Sequence, residues 1–211
     1  MVDLEKYKNN GWGLSKKCFQ DIQNIVEKFK SKEINVVEFG SGISTVFLVD
    51  LINEGHDLKI VSFDNSVEYA TKITHPNLKT YITELVDCYD GDFETQFQKG
   101  KYEEKFFQKK ITPVHTRQKN TFYSIEEGQL SDRIDIMIVD GPHGNGRNIA
   151  FLHGVNRLGS GSYVVIDDYN HYDFVERFQM LFRDTELIAE SNTGGINQWE
   201  LGGIYKIFKI I

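Results

Sequence analysis

Cysteine is scarce: among 211 residues only Cys18 and Cys88 occur, far apart and without the spacing of metal ligands. Two such thiols are too few for a disulfide scaffold, so both are expected to be reduced and chemically idle. Positive charge is also in deficit, with 24 Lys and Arg against 31 Asp and Glu and a formal net charge of −7. No global field exists to draw in nucleic acid phosphates or an anionic bilayer, and a small-molecule partner fits better than a polyanion. Long apolar runs are missing too. No window reaches the length a bilayer span demands, and the opening MVDLEKYKNN has no apolar export core, so a cytoplasmic location without membrane contact is expected.

What remains is ordinary globular usage, 40% apolar and 26% charged, enough for a sizeable core in a single domain over residues 1–211. Phe19, Ile22, Ile25, Val26 and Phe29 fall on one helical face, and Ser15 stands where it can cap a helix over Leu14 to Phe29. The short apolar run Ile34 to Phe39 stops at Gly40, Ser41 and Gly42, and Ile43 to Asn53 follows as a helix closed by Gly55. Leu58 to Phe63 reads as a second strand closing on Asp64, Val67 to Ile73 as a short helix and Lys79 to Leu85 as a third strand. Ile134 to Val139 and Tyr163 to Ile166 are continuous β-rich runs ending in aspartate, as strands covered on both faces should be, and Asp173 to Phe182 supplies a helix. Glu186 to Ala189 and Ile204 to Ile211 lean toward an antiparallel pair at a sheet edge, joined through Gly194 and Gly195. The alternation implies an α/β fold with a mostly parallel sheet. Residues 88–129 are least regular, with weak helical spacing at Phe93, Phe97, Tyr102 and Phe106, and read as an insertion over the site.

Glu38-Phe39-Gly40-Ser41-Gly42-Ile43-Ser44-Thr45 joins the first strand to its helix. Gly40 and Gly42 allow backbone to approach a ligand that a Cβ would obstruct, while Ser41, Ser44 and Thr45 can cap the exposed amides of the helix start. A dinucleotide loop would place a third glycine where Thr45 stands, which disfavours a nicotinamide cofactor. Glu38 is instead placed to hold a cationic amino group. Asp64, about 20 residues past the glycines, can accept from both hydroxyls of a ribose.

These residues resemble the class I S-adenosylmethionine-dependent methyltransferases, whose first motif is E-x-G-x-G and whose second strand ends in an acid. The resemblance runs from about Leu14 to the C-terminus, the insertion excepted. It implies a Rossmann-like seven-stranded sheet with an antiparallel C-terminal strand and helices on both faces. It further implies S-adenosylmethionine as cofactor, with Glu38, Gly40 and Gly42 along its methionine portion and Asp64 at its ribose. The position facing adenine would fall near Glu84 to Asp87.

Asp140, Asp167 and Asp168 close two strands and should meet at the carboxyl edge of the sheet, where open α/β folds bind ligands. Asp140 there would also border the cofactor. Clustered acids need protons or a cation, and hard oxygen donors suit Mg²⁺, which makes these three the candidate metal ligands. Asp140 and Asp167-Asp168-Tyr169 are similar to the acids of metal-dependent sugar O-methyltransferases, although Pro142 stands where those enzymes carry a second acid. Asp140 also precedes a Gly-Pro turn, and Asp168 could simply cap the next helix.

The stretch Asp140-Gly141-Pro142-His143-Gly144-Asn145-Gly146-Arg147 resembles the D-G-P-x-G-x-x-R loop of a broad methyltransferase group that includes the glucuronoxylan type. Transfer of a methyl to an alcohol requires the hydroxyl proton to leave, and His143, with Asp140 beside it, is the candidate catalytic base. His171 is the alternative, as a base or a substrate contact, and His115 a weaker one. Arg147 could fork onto a substrate anion or hold the loop against the aspartates. Trp12 could cover the sulfonium or pack on the core, and Phe106, Phe107, Phe122 and Tyr123 could form a substrate lid or a homo-oligomer contact. The leading reading is O-methylation of a small hydroxylated molecule such as a sugar or glycan intermediate. A Rossmann oxidoreductase, a non-catalytic S-adenosylmethionine-binding module and a nucleic acid methyltransferase are the rivals.

Overall fold

The computed structural model describes residues 2–9, 13–30, 32–109, 120–194, 199 and 202–211. Trp12, His115 and Gly195 lie outside them. Helix α1 spans Lys16–Lys28, and the Ser15 hydroxyl caps it by accepting the Cys18 amide at 3.2 Å. Then follow β1 (Ile34–Phe39), α2 (Ile43–Asn53), β2 (Leu58–Asp64), β3 (Leu78–Ile82), β4 (Leu85–Cys88) and α3 (Asp90–Lys99). The short strands β5 (Phe107–Lys109) and β6 (Thr121–Tyr123) precede β7 (Ile134–Val139), α4 (Ile149–Gly154) and β8 (Leu158–Asp167). Helix α5 (Phe174–Leu181) and strands β9 (Thr185–Thr193) and β10 (Gly203–Ile210) complete the order.

Seven strands form one sheet in the order β3-β2-β1-β7-β8-β10-β9. Neighbours from β3 to β8 run parallel, and β10 is antiparallel to both β8 and β9. This is the Rossmann-like methyltransferase architecture. Alternate residues of the central strands feed two cores. Val36, Ile136, Ile138 and Val165 meet α1 and α2 on one face, whereas Val37, Met137, Val139 and Val164 meet α3, α4 and α5 on the other. Each side chain so buried contributes roughly 1.5–3 kcal/mol over exposure, and burial on both faces explains why these strands read as unbroken apolar runs. Alternation along β10 gives Tyr205 and Ile207 to one core and Phe208 and Ile210 to the other, and the register with β9 shifts at Ile188, opposite Ile207 and Phe208.

Three local readings are corrected. Val67 to Ile73 forms a turn and extended chain rather than a helix. The Ser66 hydroxyl accepts from the amides of Glu68 and Tyr69, Ser41 Oγ from that of Thr71, and Thr71 Oγ1 from that of Ile73. Side-chain acceptors thus take donors that a helix would need. Lys79 to Leu85 is not one strand: β3 ends at Ile82, and β4 joins a separate antiparallel sheet, β5-β4-β6. Phe122 and Tyr123 are core rather than lid, at 0% and 2% exposure. Within residues 88–129 the helical spacing is realised at Phe93 and Phe97 on α3, which stops at Gly100 in the left-handed region, φ 60°. The six-residue α4 carries no amphipathic period long enough to be read, and sequence reasoning passed over it. No helix among the described residues is long and apolar enough to cross a membrane. Cys18 and Cys88 are free thiols, both buried.

Candidate active site

Glu38 lies in the last turn of pleat before the β1–α2 loop and is wholly buried. Its Oε2 accepts from Thr45 Oγ1 at 2.5 Å and from Ser62 Oγ at 2.6 Å, Ser62 being its register partner on β2. Its Oε1 is buried without a protein partner. Burial pushes the Glu38 carboxyl up to about 7 despite the hydroxyls of Ser44, Ser62 and Thr45 around it. Thr45 Oγ1 also accepts from the Gly42 amide at 3.1 Å and lies 3.2 Å from Ser41 Oγ, so one threonine ties glutamate, loop and helix start together.

The two glycines differ in role. Gly40 has φ 103°, and a Cβ there would stand 2.9 Å from the Gly141 amide nitrogen, so what approaches closely at Gly40 is the next loop's own backbone. Gly42 is extended, and a Cβ would meet nothing within 4 Å. Open space on the loop therefore lies at Gly42 and not at Gly40. Asp64, 8% exposed, closes β2 with Oδ1 accepting the Ser66 amide at 2.8 Å, and burial raises its pKa against the pull of the Ser66, Asn65 and Ser41 amides. Val67 and Tyr69 stand exposed on the turn beyond it, at 73% and 71%. Near the expected adenine position, Asp87 is committed to the Thr121 hydroxyl within the small sheet.

The loop after β7 is clasped to β1: the amides of Asp140 and Gly141 both donate to the Phe39 carbonyl, at 2.9 and 2.7 Å. The Gly141–Pro142 peptide is cis. Arg147, 3% exposed, donates from Nε to the Pro142 carbonyl and from Nη1 to the Asp167 carbonyl, both at 3.1 Å, and lies over the Phe174 ring. Of its two expected roles, these bonds show loop support. Gly146 is pressed against the Thr121 backbone, which leaves no room for a side chain.

Asp140 and Asp167 are neighbours, and burial with the repulsion of Asp140 and Asp168 pushes the Asp167 carboxyl well above its usual range. One proton between two buried carboxylates removes the repulsion. Asp168 turns away in the left-handed region, φ 51°, with Oδ2 3.6 Å from His171 Nδ1. The expected Mg²⁺ set of Asp140, Asp167 and Asp168 is therefore not assembled. Among the described residues no three His, Cys, Asp or Glu side chains converge on a metal position. His143 is exposed at the loop tip. Partial desolvation and the Arg147 guanidinium hold its pKa below the ordinary imidazole value, while Asp140 and Asp168 pull the other way. His171 lies on the surface beside it.

Glu38, Asp64 and Asp140 thus end three adjacent strands, β1, β2 and β7, at one edge. Sequence reasoning missed one neighbour and read another, Tyr123, only as a lid or contact residue. Ser62, a lone hydroxyl in the apolar run of β2, was a readable sign of a polar partner on β1. Tyr123 stacks near Phe39 and Phe63, with centroids at 6.3 and 6.5 Å, and its hydroxyl packs against Gly141 amid the fields of Asp64, Asp140 and Glu38.

The family model described as "Methyltransferase domain" matches residues 37–169, and the chain belongs to that family. No curated protein matches it by sequence. Among solved structures it is similar to CmcI with Mg and S-adenosylmethionine, at 18% identity over 90% of this chain and 71% of that one, TM-score 0.48. A second is a putative methyltransferase from Streptococcus mutans, at 12% identity over 89% and 47%, TM-score 0.46. A third is the MycE methyltransferase of mycinamycin biosynthesis with Mg, S-adenosylhomocysteine and mycinamycin VI, at 10% identity over 99% and 48%, TM-score 0.47.

Proposed function

We propose that this methyltransferase uses S-adenosylmethionine to methylate a hydroxyl of a small molecule, a sugar or glycan intermediate being the favoured acceptor. The observation that carries the cofactor reading is the free, buried Oε1 of Glu38 beside the open side of Gly42. A buried carboxylate oxygen without a partner is costly and fits a ligand that brings an ammonium group. Asp64, whose Oδ1 accepts the Ser66 amide at 2.8 Å, is the acceptor for a ribose diol. When bound, the cofactor supplies an electrophilic methyl on its sulfonium. Glu38 and Asp64 fix its two ends, with the stacked rings of Phe39, Phe63 and Tyr123 packed in the core behind them.

His143, held neutral at physiological pH, accepts the proton of the acceptor hydroxyl, and the carboxylates of Asp140 and Asp168 favour the imidazolium that results. No step is routed through a metal, since no three acidic, imidazole or thiol side chains among the described residues converge on one position. The acceptor preference rests on the Asp167-Asp168-Tyr169 resemblance and on a polar, histidine-flanked edge that suits a polyhydroxylated molecule. Isothermal titration with S-adenosylmethionine and a nicotinamide dinucleotide, then transfer of labelled methyl to a panel of free and nucleotide-linked sugars, tests both parts. Binding of the first cofactor alone and label on a sugar oxygen are expected. Nicotinamide binding would sink the cofactor reading, and binding without transfer to any hydroxyl would leave a non-catalytic module.

A further inference from the structure

A second cavity, of about 360 Å³, opens away from the aspartate edge. It lies between the C-terminal end of α4 and the chain flanking β6. The Arg157 carbonyl here accepts the amide of Ile134, the first residue of β7, which puts the cavity at the amino edge of the sheet, opposite Asp140. Its apolar wall comes from Tyr102, Ile125, Leu130 and Leu152, and its buried polar atoms from His153 and Arg157.

Both polar groups are incomplete. His153, 6% exposed, is sandwiched with its ring centroid 4.1 Å from Tyr102 and 5.9 Å from Phe122, and its Nε2 has no hydrogen-bond partner. Burial drives its pKa down to about 3, so the ring is neutral. Arg157 donates from Nη1 to the His153 carbonyl at 3.0 Å, while its Nε is buried and unpartnered. No carboxylate of the described residues pairs with this guanidinium. Anchoring Nη1 leaves the Nε–Nη2 edge, the side of a guanidinium that receives two carboxylate oxygens at once.

From this unpaired guanidinium edge beside an apolar wall and an unsatisfied imidazole, we infer a second ligand site that binds a small monocarboxylate with an apolar or aromatic body. The rim bears on the charge: Glu104, Glu126 and Glu127 outnumber Lys101, and their repulsion weighs about twice as heavily on a dianion such as phosphate as on a single carboxylate. Leu130 and Leu152 take the body of the ligand, and His153 Nε2 satisfies a second polar group on it.

Phenylacetate titrated into the intact protein, followed by amide chemical shifts and calorimetry, tests this. Saturable one-to-one binding is expected, with shifts at residues 100–102, 130 and 157. Arg157→Gln should weaken binding at least tenfold, and Ile125→Trp, which fills the cavity while keeping the guanidinium, should do the same. Two independent variants guard against a substitution that only unfolds the chain. The inference falls if phenylacetate gives no saturable shift, if neither variant weakens it, or if 2-phenylethylamine or inorganic phosphate binds as tightly.

Discussion

Glu38 holds its proton more tightly folded than unfolded, because burial raises its pKa from 4.5 to about 7. A raised carboxyl makes the folded state bind more protons over that window, so stability is highest below about pH 4.5 and falls as pH climbs toward 7. At 1.36 kcal/mol per unit the ligand-free protein loses about 3 kcal/mol across the window, and Glu38→Gln should remove that slope in denaturant titrations at stepped pH. A bound ammonium favours the ionised form, so calorimetry near pH 6 in buffers of different ionisation enthalpy should detect proton release on S-adenosylmethionine binding. His143 makes a kinetic counterpart. Its lowered pKa places the acidic limb of the rate profile below the ordinary imidazole value, with the rate rising toward neutral pH. His143→Ala should cut kcat by roughly 10²–10⁴ and abolish the limb, whereas His171→Ala should leave the limb in place. The reverse pattern would transfer the base to His171. Arg147→Ala removes a buried cation and strips two carbonyls of their donor, and should lower stability by about 2–4 kcal/mol in thermal unfolding.

The two loops at the carboxyl edge interlock as elements, Gly40 against Gly141 and Gly146 against Thr121. Gly40→Ala would carry a left-handed φ and a clash with backbone, and should cost about 2 kcal/mol or more together with cofactor affinity, read by calorimetry on the purified variant. The contact also marks how far sequence reasoning reaches. Strands β1 and β7 and helix α2 were legible to their end residues because burial on both faces leaves continuous apolar runs, and Glu38, Asp64 and Asp140 followed as the residues at strand ends. What closes around those residues was not legible. The turn at Ser66 replaces an expected helix because its amides are captured by the local Ser66 hydroxyl and by that of Ser41, thirty residues before Thr71. Asp168 takes a left-handed backbone angle that no local pattern announces. Tyr123 reaches the site by a three-residue strand, too short for any period to show.

Across the molecule, protection should follow depth in the sheet. Amide exchange is expected to be slowest in β1, β7 and β8, each paired on both sides, and faster in β3, β9 and the small β5-β4-β6 sheet, and a uniform pattern would contradict the two-core description. The seat of β10 between β8 and β9 has a temporal corollary. A strand that emerges later from synthesis is the bridge by which an earlier one docks, so β9 must wait as an unmoored ribbon, its apolar groups open to solvent and to other chains, until β10 arrives. A stop codon just before Gly203 would therefore strip two strands from the sheet at once.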